Sequence, residues 1–185
     1  MLKMSSTSKN KAVDEIRRNL FSPEDAIVQS ALNRCREEGS AALVEPLIAF
    51  YASEPAPEFK EQAADMLGTL KVSKVEHFFI AALKNNDYRE VWQDLVSFMW
   101  NSGLQPVNDL EVITTLALRG NYMLTLECLT LLESLDAEVP EEVILECITL
   151  MKAKSKVGLG DDMKKLLTAY LTTLEELRIQ NDLRD

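Results

Sequence analysis

The sequence predicts an all-α protein assembled from helical pairs that stack on one another. Three observations predict it. Apolar residues recur in two columns: Leu32, Leu67, Val96 and Leu129 at steps of 35, 29 and 33, and Val44, Val75, Leu110 and Val143 at steps of 31, 35 and 33. A period of about 33 residues marks a unit that cannot bury its own apolar face and must stack on copies of itself. Leu, Ala, Glu and Lys dominate, with only six glycines and six prolines in 185 residues, so intrinsic propensity leans to helix. No stretch shows the strict alternation of a half-buried strand.

Taken in order, residues 1–8 are polar and read as a frayed tail, after which Val13, Ile16, Leu20 and Phe21 space out a short amphipathic helix. Ser22-Pro23-Glu24-Asp25 is a helix start, with serine to cap, proline for the first position and acids at the positive end of the dipole. That helix ends at Gly39. A second begins at Val44 with Pro46 in its first turn, and Pro55 and Pro57 break it. The third spans about 58–70 and the fourth about 73–84, the latter opened by Ser73-x-x-Glu76 as a capping box. Asn85-Asn86-Asp87 is a turn, and a fifth helix follows over about 88–101. Helices at about 109–119, 122–135 and 140–152 come next, the last two apolar on more than one face, as a unit sandwiched between neighbours requires. After Gly158 and Gly160 a long helix from Asp161 carries a stripe from Met163 through Leu166, Tyr170 and Leu174 to Leu177, the pattern of a terminal cap. The expectation is eight or nine helices pairing antiparallel, with no sheet. The expected organisation is a tail and short helix at 1–21, about four helix pairs over 22–157, and a capping helix with polar tail at 158–185.

Composition bounds the partners. Twenty basic residues against 30 acidic ones give a net charge of −10, which disfavours nucleic acid and anionic membrane surfaces. The acid is concentrated: residues 101–150 hold nine acidic side chains and one basic one, Arg119. No segment approaches the roughly 18–20 uninterrupted apolar residues of a membrane span, and the first residues lack the apolar core of a secretory signal. Three cysteines at 35, 128 and 147 form no CxxC and leave an odd thiol, so the expected compartment is the cytoplasm.

The stretch PEFKEQAADMLGTLKVSKVEHFFIAALKNND at 57–87 resembles a HEAT repeat of the short bilin-lyase type. The match lies in the alanine-rich first helix, the Leu67-Gly68 near its end, the short turn, and a second helix running into Leu83-Lys84 and Asp87. VEPLIAFY at 44–51 resembles the second helix of such a unit; later units keep the apolar spacing but place Trp92 where Ala63 would stand and Ser97 where Gly68 would. The resemblance covers about residues 22–152. It implies a right-handed α–α superhelix, a HEAT/armadillo-like solenoid with capping helices, and it carries over no catalytic residue.

Chemistry-bearing patterns are sparse. The single histidine, His77, removes any two-histidine metal site and has no motif around it, so neither a catalytic residue nor a metal or cofactor is expected. Cys128 and Cys147 fall at similar heights on two antiparallel helices, among leucines and isoleucines, and read as buried, reduced core residues. Trp92, Val96 and Trp100 form an i, i+4, i+8 stripe without basic interleaving, which reads as core. No nucleotide-binding or hydrolase signature is present. One pattern stands out: Lys84, Arg119 and Lys152 fall at equivalent positions of successive second helices, a cation in each unit of an acidic protein. Cations at helix C-termini are favoured by the dipole alone, at about 0.3–1 kcal/mol each. As a functional set they would form a basic ridge beside an apolar floor of Phe50, Leu116 and Leu145. The expected function is a non-catalytic interaction module holding a protein segment, acidic in character, on a concave face. A bilin-lyase-like chaperone–transferase and a DNA-binding helical-repeat protein are the alternatives, and the oligomeric state stays open.

Overall fold

A computed structural model describes residues 6–153 and 158–182 of the chain. Among the described residues there are ten α-helices, three 3-10 turns and no strand. The helices are α1 (Ser6–Leu20), α2 (Asp25–Glu38), α3 (Val44–Ala52), α4 (Pro57–Gly68), α5 (Glu76–Lys84), α6 (Trp92–Asn101), α7 (Leu110–Arg119), α8 (Tyr122–Glu133), α9 (Glu141–Ala153) and α10 (Asp161–Asp182). The count exceeds the expected eight or nine, although each of the ten corresponds to a segment read as helical in the sequence; the first, α1, is longer than expected, 15 residues from Ser6. Residues 1–5 of the expected tail, and the termini of the expected polar end at 183–185, lie outside the described residues. The chain divides into two compact units, Met1–Phe78 and Phe79–Asp185, and α5 runs through the division.

In the first unit α1 packs on α2, α2 on α4, and α3 on α4. Leu32 of α2 and Leu67 of α4, adjacent members of one apolar column, are fully buried. Beside them Gln29 and Gln62, 33 residues apart, exchange amide hydrogen bonds of 2.9 and 3.0 Å. The α2 start differs from the sequence reading. The helix begins at Asp25, with Glu24 in extended backbone before it, so Pro23 lies outside the helix. Ser22 closes the preceding turn instead, its hydroxyl oxygen accepting from the Glu24 N–H at 3.1 Å. The far end behaves as expected: Gly39 takes φ 50° and its N–H bonds the Cys35 carbonyl, a conformation that costs glycine no Cβ clash. Pro57 occupies the first turn of α4, where its missing N–H matters least. The capping box at Ser73 does not form, because Lys74 adopts a left-handed φ of 62° and delays the helix to Glu76.

In the second unit α6 packs on α8, α7 on α8 and α9, and α10 on both α8 and α9. The turn at Asn85 is a 3-10 segment, Asn86–Val91, with the Asn85 side chain accepting from the Asp87 N–H at 3.0 Å, so α6 starts at Trp92 rather than Tyr88. Asn121 caps α8 by accepting from the Leu124 N–H at 2.9 Å. Polar groups inside this unit are paired. The Tyr170 hydroxyl on α10 meets the Thr114 hydroxyl on α7 at 3.1 Å, both fully buried. The Thr125 hydroxyl of α8 donates to the Ala117 carbonyl of α7 at 2.9 Å. Ahead of α7, the Gln105 carboxamide oxygen accepts from the N–H groups of Asp136 and Ala137 at 2.9 and 3.1 Å, and its nitrogen donates to the Ser134 carbonyl at 3.4 Å. The α10 stripe packs as anticipated, with Leu166, Leu167, Tyr170 and Leu174 buried.

Candidate functional site

The three column cations end α5, α7 and α9, where basic side chains complement the exposed carbonyl ends of the helices. Their surroundings differ. Lys84 pairs with Asp109 at 3.5 Å and Lys152 with Glu175 at 2.8 Å. The Arg119 guanidinium has neither an ion pair nor a hydrogen bond to any described residue, and it lines a cleft of about 500 Å³. Of the expected apolar floor, Phe50 and Leu116 are packed into the cores of their units at 3% and 4% exposure, and only Leu145 presents surface, at 38%. Phe50 is held by Phe21, whose ring meets it edge-on at 5.9 Å.

Two stretches of the second unit build the cleft. The 3-10 turn and the start of α6 supply Asn86, Arg89, Glu90, Trp92 and Gln93; the end of α7 and the start of α8 supply Arg119, Gly120, Asn121 and Leu124. The Trp92 indole N–H donates to the Asn85 carbonyl at 3.3 Å, which holds the half-buried ring as a wall. Gly120 lets the start of α8 fold back closely on the end of α7. A Cβ there would sit 2.9 Å from Leu124 side-chain atoms and 3.0 Å from the Leu116 carbonyl oxygen. At the opening of α8, Asn121 satisfies the Leu124 N–H, while helix geometry leaves the Tyr122 and Met123 amides without an intrahelical acceptor. Those two side chains are among the most exposed large apolar groups, at 45% and 46%.

The electrostatics of the cleft are unusual for the unit. Lys84, Lys152, Lys164, Lys165 and Arg178 each pair with a carboxylate. Among the described residues of the second unit, Arg89 and Arg119 are the cations left unpaired, and both line this one cleft. Glu90 lines it too, so the three charges leave a net of one positive.

Elsewhere the chemistry is quiet. Burial pushes the Cys147 thiol up to about 11 and the Cys35 thiol to about 12, and raises Cys128 further still. Neutral thiols in apolar surroundings are poor nucleophiles. All three cysteines are unpaired and buried. His77 is exposed with its ring against Phe78 at 3.9 Å. No cluster of three or more acidic, histidine or cysteine side chains suited to a metal ion occurs among the described residues.

The tryptophan stripe separates into roles the sequence reading merged. Val96 is core, the Trp100 indole N–H donates to Glu127 at 2.8 Å, and Trp92 faces the cleft. Arg89 was not legible from the repeat, because it sits in the 3-10 turn between α5 and α6 rather than in either column. Asn121 and Gly120 carried a signal as turn residues, and that turn forms one side of the cleft. No protein-family model matches this chain, and neither does any of the curated proteins it was compared with.

Proposed function

We propose that this protein is a non-catalytic interaction module, a HEAT-like stack of helix pairs in a right-handed superhelix, that binds an acidic segment of a protein partner. The single observation that carries the reading is the convergence of Arg89 and Arg119, both unpaired, on one cleft of a chain with net charge −10. An unneutralised pair of guanidiniums in an acidic protein attracts anionic groups and steers their approach. Support for the stack comes from helices that touch their second neighbours, α2 with α4, α6 with α8, α7 with α9 and α8 with α10. No helix among the described residues is long and apolar enough to cross a membrane, and three unpaired buried thiols fit a reducing cytoplasm.

The cation column tests the reading. A partner captured from native lysate is titrated against Lys84→Glu, Arg119→Glu, Lys152→Glu and the triple variant. Arg119→Glu is expected to weaken binding at least about tenfold and to slow association most at low salt, as loss of steering does. Lys84→Glu and Lys152→Glu should change it little, since their carboxylate partners already neutralise them. A partner that binds the triple variant as fast and as tightly as the parent removes the reading.

A further inference from the structure

Resting on that reading, we propose that the cleft between Arg89 and Arg119 is a carboxylate-reading pocket, which takes one acidic group of an extended peptide and seats the adjoining apolar side chain against Trp92 and Leu124. The two guanidiniums are free to form side-on paired hydrogen bonds, the geometry in which an arginine fork matches a planar carboxylate. The opening turn of α8 lines the cleft through Asn121 and Leu124, and a helix N-terminus favours negative charge. Charge balance selects the ligand. Two arginines and Glu90 leave one net positive charge in the cleft, which a monoanion cancels and a phosphate dianion overshoots. A nucleic-acid backbone is a worse match, because Arg119 is the sole basic residue between 101 and 150 and no row of cations could follow successive phosphates. The volume, about 500 Å³, exceeds what a carboxylate alone fills and suits a side chain with its neighbour.

The test uses the full chain and defined probes: acetyl-Leu-Glu-Leu-amide, its glutamine counterpart, acetyl-Leu-Leu-Leu with a free terminal carboxylate, and inorganic phosphate. Binding is read from the NMR signals of the Trp92 indole N–H and the arginine side-chain N–H groups. Saturable shifts are expected with the glutamate peptide, with binding at least tenfold weaker for the glutamine peptide. Arg89→Lys and Arg119→Lys keep the charge and the exposed position but lose the fork, so each should weaken the glutamate peptide several-fold. The free-terminus peptide tells whether a chain end serves as well as a side chain; stronger binding by either carboxylate source supports the pocket. Equal binding of the glutamine peptide, tighter binding of phosphate, or undiminished binding by both lysine variants overturns it. Peptide binding that holds while captured partners ignore Arg119→Glu would remove the proposed function and leave the pocket standing. Partner binding that needs Arg119 without any carboxylate preference would do the reverse.

Discussion

The two units of this chain differ in what they add to their surface ion pairs to hold their helices together. In the first, the ties between elements lie largely at the surface and are ionic: Arg17 to Glu45, Arg34 to Glu15 at 3.0 Å, Arg36 to Asp65 at 3.3 Å, with side chains about a third to more than half exposed. The second has exposed ion pairs too, as Lys84 to Asp109 and Lys152 to Glu175, but adds hydrogen bonds through the interior, as Thr114 to Tyr170 and Thr125 to Ala117, and along a half-buried edge, as Trp100 to Glu127. The buried threonines of the described core both belong to the second unit. An exposed ion pair contributes about 0–1 kcal/mol. A buried hydrogen bond adds about as little net, yet leaving either partner unsatisfied costs roughly 1–3 kcal/mol. The second unit therefore penalises wrong helix placements from within, and it can leave two arginines unspent on its surface.

The largest test of this contrast is Tyr170→Ala. Removing a fully buried aromatic ring costs about 3–5 kcal/mol, and here it also removes the α10 partner of the Thr114 hydroxyl. Both tryptophans, 92 and 100, lie in the second unit, so their emission follows that unit while far-ultraviolet circular dichroism follows both. In urea the emission midpoint should fall ahead of the dichroism midpoint. Coincident transitions in the variant would mean that the units unfold as one block and differ only in bonding style.

Alkaline pH gives an intermediate effect. Burial holds the Cys147 thiol protonated up to about 11 and that of Cys35 up to about 12, from an unfolded value of 9.0. Between those values the folded state binds more protons than the unfolded one, so stability is complete below pH 9 and declines as pH rises through the folded values. Cys128 and Tyr170 are shifted the same way by the same burial. With three such groups against one, the second unit should lose stability first, seen as an emission midpoint that drops above pH 9 while dichroism lags. A midpoint flat to pH 11 would sink this expectation. The smallest effect belongs to the first unit's ion pairs. Glu45→Gln should cost less than about 1 kcal/mol and the loss should fade at high salt; a cost of 2 kcal/mol or more, on the order of a buried pair, would erase the contrast.

Most of the fold was readable because burial repeats. Seven of the eight column residues are buried, Val143 alone being half-exposed, and every expected helix exists. Misplaced ends have local causes that apolar spacing does not encode: a left-handed Lys74, a 3-10 turn before Trp92, an extended Glu24 before α2. The candidate site was half readable. Arg119 stood out by period, whereas its consequence depended on which cations find carboxylates, and that is decided by three-dimensional neighbours such as Asp109 and Glu175. Phe50 and Leu116 looked like groove lining because helical period alone does not say which of two apolar faces a neighbour covers.

Gln105 writes part of the chain's instructions at a distance. The turn between α8 and α9 contains no glycine, and its Asp136 and Ala137 amides are satisfied by a side chain 31 and 32 residues upstream. The shape of that turn is thus stored at position 105 rather than in the turn itself. A lengthened 134–140 segment would orphan the carboxamide, and a hydrophobic residue at 105 would leave the Asp136 and Ala137 amides without this acceptor.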